Sequence, residues 1–165
     1  MKTITIIGMM GAGKTTVGKL LGQFLKFDFI DTDSEIEKQT GKSISEIFAK
    51  YGEEYFRTLE KNVIKTIFNS ENKIISTGGG AFENKEIRDL LLENSTVVYL
   101  KTTPDVIFER IKNNSQRPLL KNNMNIETIT EILNNRQKNY ELAHHTIVTD
   151  NKNPNEIMEE ILGVL

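Results

Sequence analysis

Gly8-Met9-Met10-Gly11-Ala12-Gly13-Lys14-Thr15 fits the pattern G-x-x-x-x-G-K-[ST], between an apolar run at 3–7 and an amphipathic stretch at 14–26. That order of parts limits the fold more than any other feature of the chain. Glycines let successive main-chain N–H groups turn inward around an anion. A helix starting at Lys14 adds the positive end of its dipole. In that setting the Lys14 ammonium bridges the β- and γ-phosphates of a nucleoside triphosphate, and the Thr15 hydroxyl reaches a magnesium ion. A glycine turn with no ligand would fit the same letters, but the strand before and the helix after argue against coincidence. Met9 and Met10 are bulky for such a loop, which suggests that they pack sideways against the sheet.

The rest of the chain continues the alternation. Short runs rich in β-branched residues at 3–7, 28–31, 73–76, 96–100 and 146–149 read as strands. Helical periodicity marks 14–26, 34–39, 43–49, 53–68, 85–92, a segment opening at Thr103-Pro104, 126–142 and 155–162. Ser43-x-x-Glu46 is a capping box. Five strands interleaved with helices predict an α/β fold with a parallel sheet covered on both faces. A chain of 165 residues suggests one domain over 1–165. The absence of cysteine excludes disulfides and thiolate chemistry. A net charge of -2 gives no overall basic field for nucleic acid. No apolar stretch approaches the ~20 residues of a membrane span, and no signal-type segment is seen, so a soluble cytoplasmic protein is expected. The Asn-rich stretch at 113–125 reads as a mobile loop, and a long polar loop in a compact domain is more often functional than decorative.

Several side chains are candidates for the site. Asp31 and Asp33 end the second strand, where open α/β sheets form their ligand crevice. One carboxylate suits a magnesium shell and the other an acceptor hydroxyl; alternatively, Asp33 or Ser34 simply caps the next helix. Gly78-Gly79-Gly80 follows the third strand and reads either as a flexible loop or as backbone presented to a ligand. Arg57 and Glu60 can pair on one helix face, which alone would be a solvated ion pair. Arg117, before Pro118, is placed to close over a γ-phosphate. Arg136 alone would be a surface residue. His144 and His145 are sequence neighbours that point apart, which suits a structural junction better than a shared metal.

Taken together, G-x-x-G-x-G-K-T-T-x-G, Asp31-Thr32-Asp33, Phe56-Arg57 with Glu60, the three glycines, Arg117-Pro118-Leu119-Leu120, and Arg136 with Tyr140 resemble the shikimate kinase family in order and spacing. The resemblance implies a nucleoside-monophosphate-kinase-like three-layer sandwich with strand order 2-3-1-4-5. It implies ATP and shikimate as substrates, magnesium as cofactor and shikimate 3-phosphate as product, with no nucleic-acid or membrane partner and a monomeric state. By the match, Asp33, Arg57, Gly79, Gly80 and Arg136 hold shikimate, and Phe48 and Phe56 wall its ring, within a segment of about 33–60. Lys14 and Arg117 neutralise the transferring group, with 113–123 as a lid. Thr15 and Asp31 serve the metal. Gly11, Ala12, Gly13 and Thr16 join Lys14 and Thr15 at the phosphates, and Arg110 and the Asn153-Pro154 turn lie near the adenine. Rival readings are a gluconate kinase of the same fold, a nucleotide-gated binding protein, and a nucleic-acid-processing ATPase; the arginine pair favours an anionic acceptor.

Overall fold

The structure, a computed structural model, describes residues 3–112 and 124–165. Strands β1 (Ile4–Ile7), β2 (Asp28–Asp31), β3 (Lys73–Ser76), β4 (Thr96–Lys101) and β5 (His145–Val148) form one sheet in the order β2-β3-β1-β4-β5. Every pairing is parallel, and Ile4 of the central β1 lies opposite Ile74 on one side and Thr96 on the other. This is the order the resemblance implies.

Helices α1 (Lys14–Leu25), α2 (Thr32–Thr40), α3 (Ile44–Ile67), α4 (Lys85–Asn94), α5 (Pro104–Lys112), α6 (Ile126–Tyr140) and α7 (Pro154–Val164) surround the sheet, with a short 3-10 turn at Ala81–Glu83. The period of two along β1 and β4 sorts side chains between two cores. Ile6, Val98 and Leu100 pack with Val17 and Leu21 of α1 and Ile157 and Ile161 of α7. Ile7, Val97 and Tyr99 face the other way, onto Ile87, Leu91, Ile107 and Ile129 from α4, α5 and α6. A third cluster of Ile36, Ile47, Phe56, Val63 and Ile75 seats α2 and α3 on the β3 side.

The expected strands all form, with ends shifted by a residue. One helix differs in an informative way. The one expected at 34–39 begins at Thr32, because Asp31 caps it: its Oδ1 accepts from the Ser34 N–H at 3.0 Å. Neither Asp33 nor Ser34 is the cap. The stretches at 43–49 and 53–68 are helical on either side of a break, as expected: Gly52, with φ of 82° and ψ of 174°, is not helical, and α3 denotes the two together. The Ser43–Glu46 capping box forms as expected. Of the polar loop at 113–125, residues 113–123, and with them Arg117, lie outside the described residues. His144 Nδ1 accepts from the Val97 N–H at 2.9 Å, a junction between β4 and the turn before β5.

Candidate active site

The carboxyl ends of β1, β2 and β3 open onto one cavity of about 720 Å³. Each strand delivers a different chemistry to it. β1 runs into the glycine loop, where Gly11 and Gly13 adopt φ of 78° and 95°. Gly13 caps α1 without a side chain, so the first-turn N–H groups have no side-chain cap. Lys14 is 9% exposed, and its Nζ donates to the carbonyls of Gly8 at 2.8 Å and Met9 at 2.9 Å. From α5, Arg110 Nη1 donates to the Gly11 and Ala12 carbonyls, both at 3.2 Å, bracing the loop from its other side. Met9 is buried in the core, with its sulfur 3.7 Å from Arg136 Nη1, while Met10 lines the cavity.

Of the two carboxylates expected at the end of the second strand, β2 delivers only Asp31, because the chain turns helical at Thr32 and α2 carries Asp33. Asp31 divides its oxygens: Oδ1 caps α2, and Oδ2 accepts from the Thr15 hydroxyl at 3.3 Å. Asp33 sits in the first turn of α2. Burial, and next the nearby Asp31 charge, push its carboxyl up from 3.8 to about 6, against the pull of Lys14 and Arg57. Its buried Oδ1 has no hydrogen-bond partner among the described residues.

β3 delivers the three glycines. A Cβ at Gly80 would stand 2.3 Å from Arg57 Nη2 and 3.5 Å from Arg136 Nη2. A side chain there would have to push the Arg57 guanidinium aside. Arg57 is held by Glu60 Oε2 at 2.6 Å and more loosely by Glu53 at 3.4 Å. Glu60 is fully buried, and burial raises its carboxyl from 4.5 to about 7 despite Arg57. Phe48 and Phe56 meet with ring centroids 4.7 Å apart.

The cavity thus gathers Gly11, Gly13, Lys14, Thr15, Thr16, Asp31, Asp33, Phe48, Phe56, Arg57, Gly79, Gly80 and Arg136. The readings of Arg57–Glu60 as a solvated pair and of Arg136 as a surface residue do not hold, since both arginines line the cavity and Glu60 has no exposure. Ala12 is buried behind the loop. Pro154 heads α7 and lines a separate recess of about 370 Å³ that it shares with Thr15 and Thr16. Two contacts to residues of the cavity escaped the sequence reading. Glu53 stands four residues before Arg57, a spacing that would have found it. Tyr140 donates to the Gly79 carbonyl across 61 residues, a pairing with no local signal.

The arrangement places an anion-binding loop, a carboxyl able to hold a hydroxyl proton, and two cations for an anionic acceptor in one space. Thr15 and Asp31 bring a hydroxyl and a carboxylate oxygen to within hydrogen-bond distance, a hard oxygen pair that suits magnesium carried in with phosphate oxygens.

A family model described as shikimate kinase matches residues 10–165. A shikimate kinase of Persephonella marina is 46% identical over 99% of this chain and 98% of that protein. The solved shikimate kinase from Acinetobacter baumannii in complex with shikimate superposes with a TM-score of 0.92 at 36% identity, covering 99% of this chain and 92% of that one. A gluconokinase from Sinorhizobium meliloti shares the fold alone, with a TM-score of 0.60 at 16% identity over 98% of this chain and 90% of that one.

Proposed function

The chain belongs to the shikimate kinase family, and from that premise we propose a division of labour among its own residues. The enzyme transfers the γ-phosphoryl group of ATP to the 3-hydroxyl of shikimate, giving shikimate 3-phosphate and ADP, a step towards chorismate and the aromatic amino acids. The observation that carries the division of labour is a single cavity in which the largely buried Asp33 carboxyl shares space with Lys14, Arg57 and Arg136.

Asp33 accepts the hydrogen bond of the 3-hydroxyl, aims its oxygen at the γ-phosphorus, and takes its proton as the new O–P bond forms. Arg57 and Arg136 grip the carboxylate at the far end of the ring, where planar guanidinium groups suit bidentate pairing. This is binding energy used for orientation rather than for chemistry. The Gly79-Gly80 main chain lies beside the ring, and Phe48 and Phe56 form its wall. Lys14 exchanges the Gly8 and Met9 carbonyls for the β- and γ-phosphates, and main-chain amides over 11–16, from Gly11, Ala12, Gly13 and Thr16 among them, cradle the remaining oxygens. Arg110 and Pro154 flank the adenine. Thr15 and Asp31 would hold one magnesium ion, which neutralises phosphate charge when bound. The resemblance gives Arg117 the place of a second cation on the transferring group, and gives 113–123 the part of a lid that excludes water.

One domain, a monomeric state and a cytoplasmic location complete the proposal. A single continuous sheet supports the first, and among the described residues no helix is long and apolar enough to cross a membrane. The test is ADP release measured with shikimate, with gluconate and with no acceptor. Only shikimate should couple, and a chelator should abolish the signal. Turnover with the sugar acid, or rapid ATP hydrolysis without acceptor, would refute the assignment of the cavity.

A further inference from the structure

The Gly79-Gly80 main chain has no side chain of its own to hold it, yet the proposed acceptor site depends on where it stands. Glycine runs are free to wander unless something outside them intervenes. Tyr140, the last residue of α6, reaches them. It has no exposure, and its ring stacks on Tyr99 with centroids 4.9 Å apart. A phenol this deep gains from a partner for its hydroxyl. That partner is the Gly79 carbonyl, which accepts the Tyr140 hydroxyl hydrogen bond.

Arg136 lies one turn earlier on the same helix and therefore on the same face. Its Nη1 stands 3.1 Å from the point a Gly79 Cβ would occupy. Its guanidinium also acts on the phenol oxygen, by charge and by a side-chain hydrogen bond, opposing the burial that raises the Tyr140 pKa to about 12. The hydroxyl therefore keeps its proton and remains a donor throughout the working pH range. Just before Tyr140, Asn139 Nδ2 donates to Glu83 Oε1 at 2.9 Å, tying the same helix end to the turn that follows the glycines.

We propose that Tyr140 is a positioning residue for the acceptor: its hydroxyl fixes the Gly79 peptide against Arg136, and so sets the part of the cavity that receives the shikimate carboxylate. The proposal rests on the placement of shikimate given above. The ring and the hydroxyl have separable jobs, since stacking on Tyr99 and burial belong to the ring. Tyr99 offers a matched control, because its buried hydroxyl has no hydrogen-bond partner among the described residues.

Tyr140→Phe keeps the ring and removes only the hydroxyl. Its KM for shikimate should rise about tenfold, the loss of one well-made hydrogen bond, while KM for ATP stays within about twofold. Titration calorimetry of shikimate on the folded protein should show the same weakening whatever the yield. Tyr99→Phe should leave both constants within about twofold of the parent. The proposal is overturned if Tyr140→Phe keeps its shikimate KM and kcat within about twofold, if ATP and shikimate binding suffer equally, or if Tyr99→Phe has the same effect. Arg136→Lys separates the two levels of the argument. If the parent uses shikimate and Arg136→Lys does not raise its KM, the placement of the carboxylate is wrong; if that variant is impaired and Tyr140→Phe is not, only the positioning role fails.

Discussion

Asp33 is held where its charge is unwelcome until a substrate arrives. Its folded pKa of about 6 lies above the ordinary 3.8, so the native state binds the proton more tightly than the unfolded chain does. Stability from this group is therefore full below pH 3.8 and is lost as pH rises through about 6. At neutral pH the deficit is at most about 3 kcal/mol. Asp33→Asn should raise the melting temperature at pH 7.5 while removing nearly all turnover, read by thermal unfolding and by the coupled assay. A variant that melts lower would place the carboxylate in a favourable setting instead. If Asp33 takes the proton as proposed, the same burial should place the acid limb of kcat/KM for shikimate near pH 6, since only the ionised carboxylate can accept it. At Gly80 the conflict is spatial. A methyl group there would strike Arg57 Nη2 at 2.3 Å, and Glu60 leaves that guanidinium little room to retreat. Gly80→Ala should raise KM for shikimate by about tenfold or more with little change for ATP, and equal changes for the two substrates would contradict this.

Among the elements, α3 shapes the acceptor side by its bend. Phe48 lies before Gly52, and Phe56 and Arg57 lie after it. A Cβ at Gly52 would meet nothing within 4 Å, so the cost of a side chain there is purely one of backbone conformation. Gly52→Ala should destabilise by about 1–3 kcal/mol, seen in denaturant unfolding, and should raise KM for shikimate as the two phenylalanines part. An unchanged midpoint would show that the bend does not need glycine. The elements themselves were legible in the sequence because their cause is local. The β-branched run at Ile4–Ile7 and the 3.6-residue stripe of Val17 and Leu21 declare themselves within a few residues. The cap of α2 was not, because Asp31 and Asp33 are both good caps and spacing does not choose between them. The site motifs were legible as glycines and charges. The full burial of Glu60 and the reach of Tyr140 to Gly79 depend on how distant segments stack, and no local period encodes that.

At the scale of the whole molecule, the acceptor side draws on β2, β3, α2, α3 and α6, segments brought together only when the sheet is complete. Ligand binding and global stability should therefore be strongly linked. Shikimate at about one hundred times its dissociation constant should add about 2.7 kcal/mol, or about 5–10 °C of melting temperature. Scanning fluorimetry would show this, and the shift should shrink in Asp33→Asn, where the hydroxyl keeps a carbonyl acceptor but loses the charged one. A shift that survives at full size would mean that the Asp33 charge adds nothing to holding shikimate. The glycine loop is closed upon itself, with the Lys14 ammonium seated on the carbonyls of Gly8 and Met9. In the proposed site, an incoming nucleotide would swap one set of oxygens for another. On that reading the cation would keep a seat after ADP departs, and successive cycles could follow without the loop slackening between them.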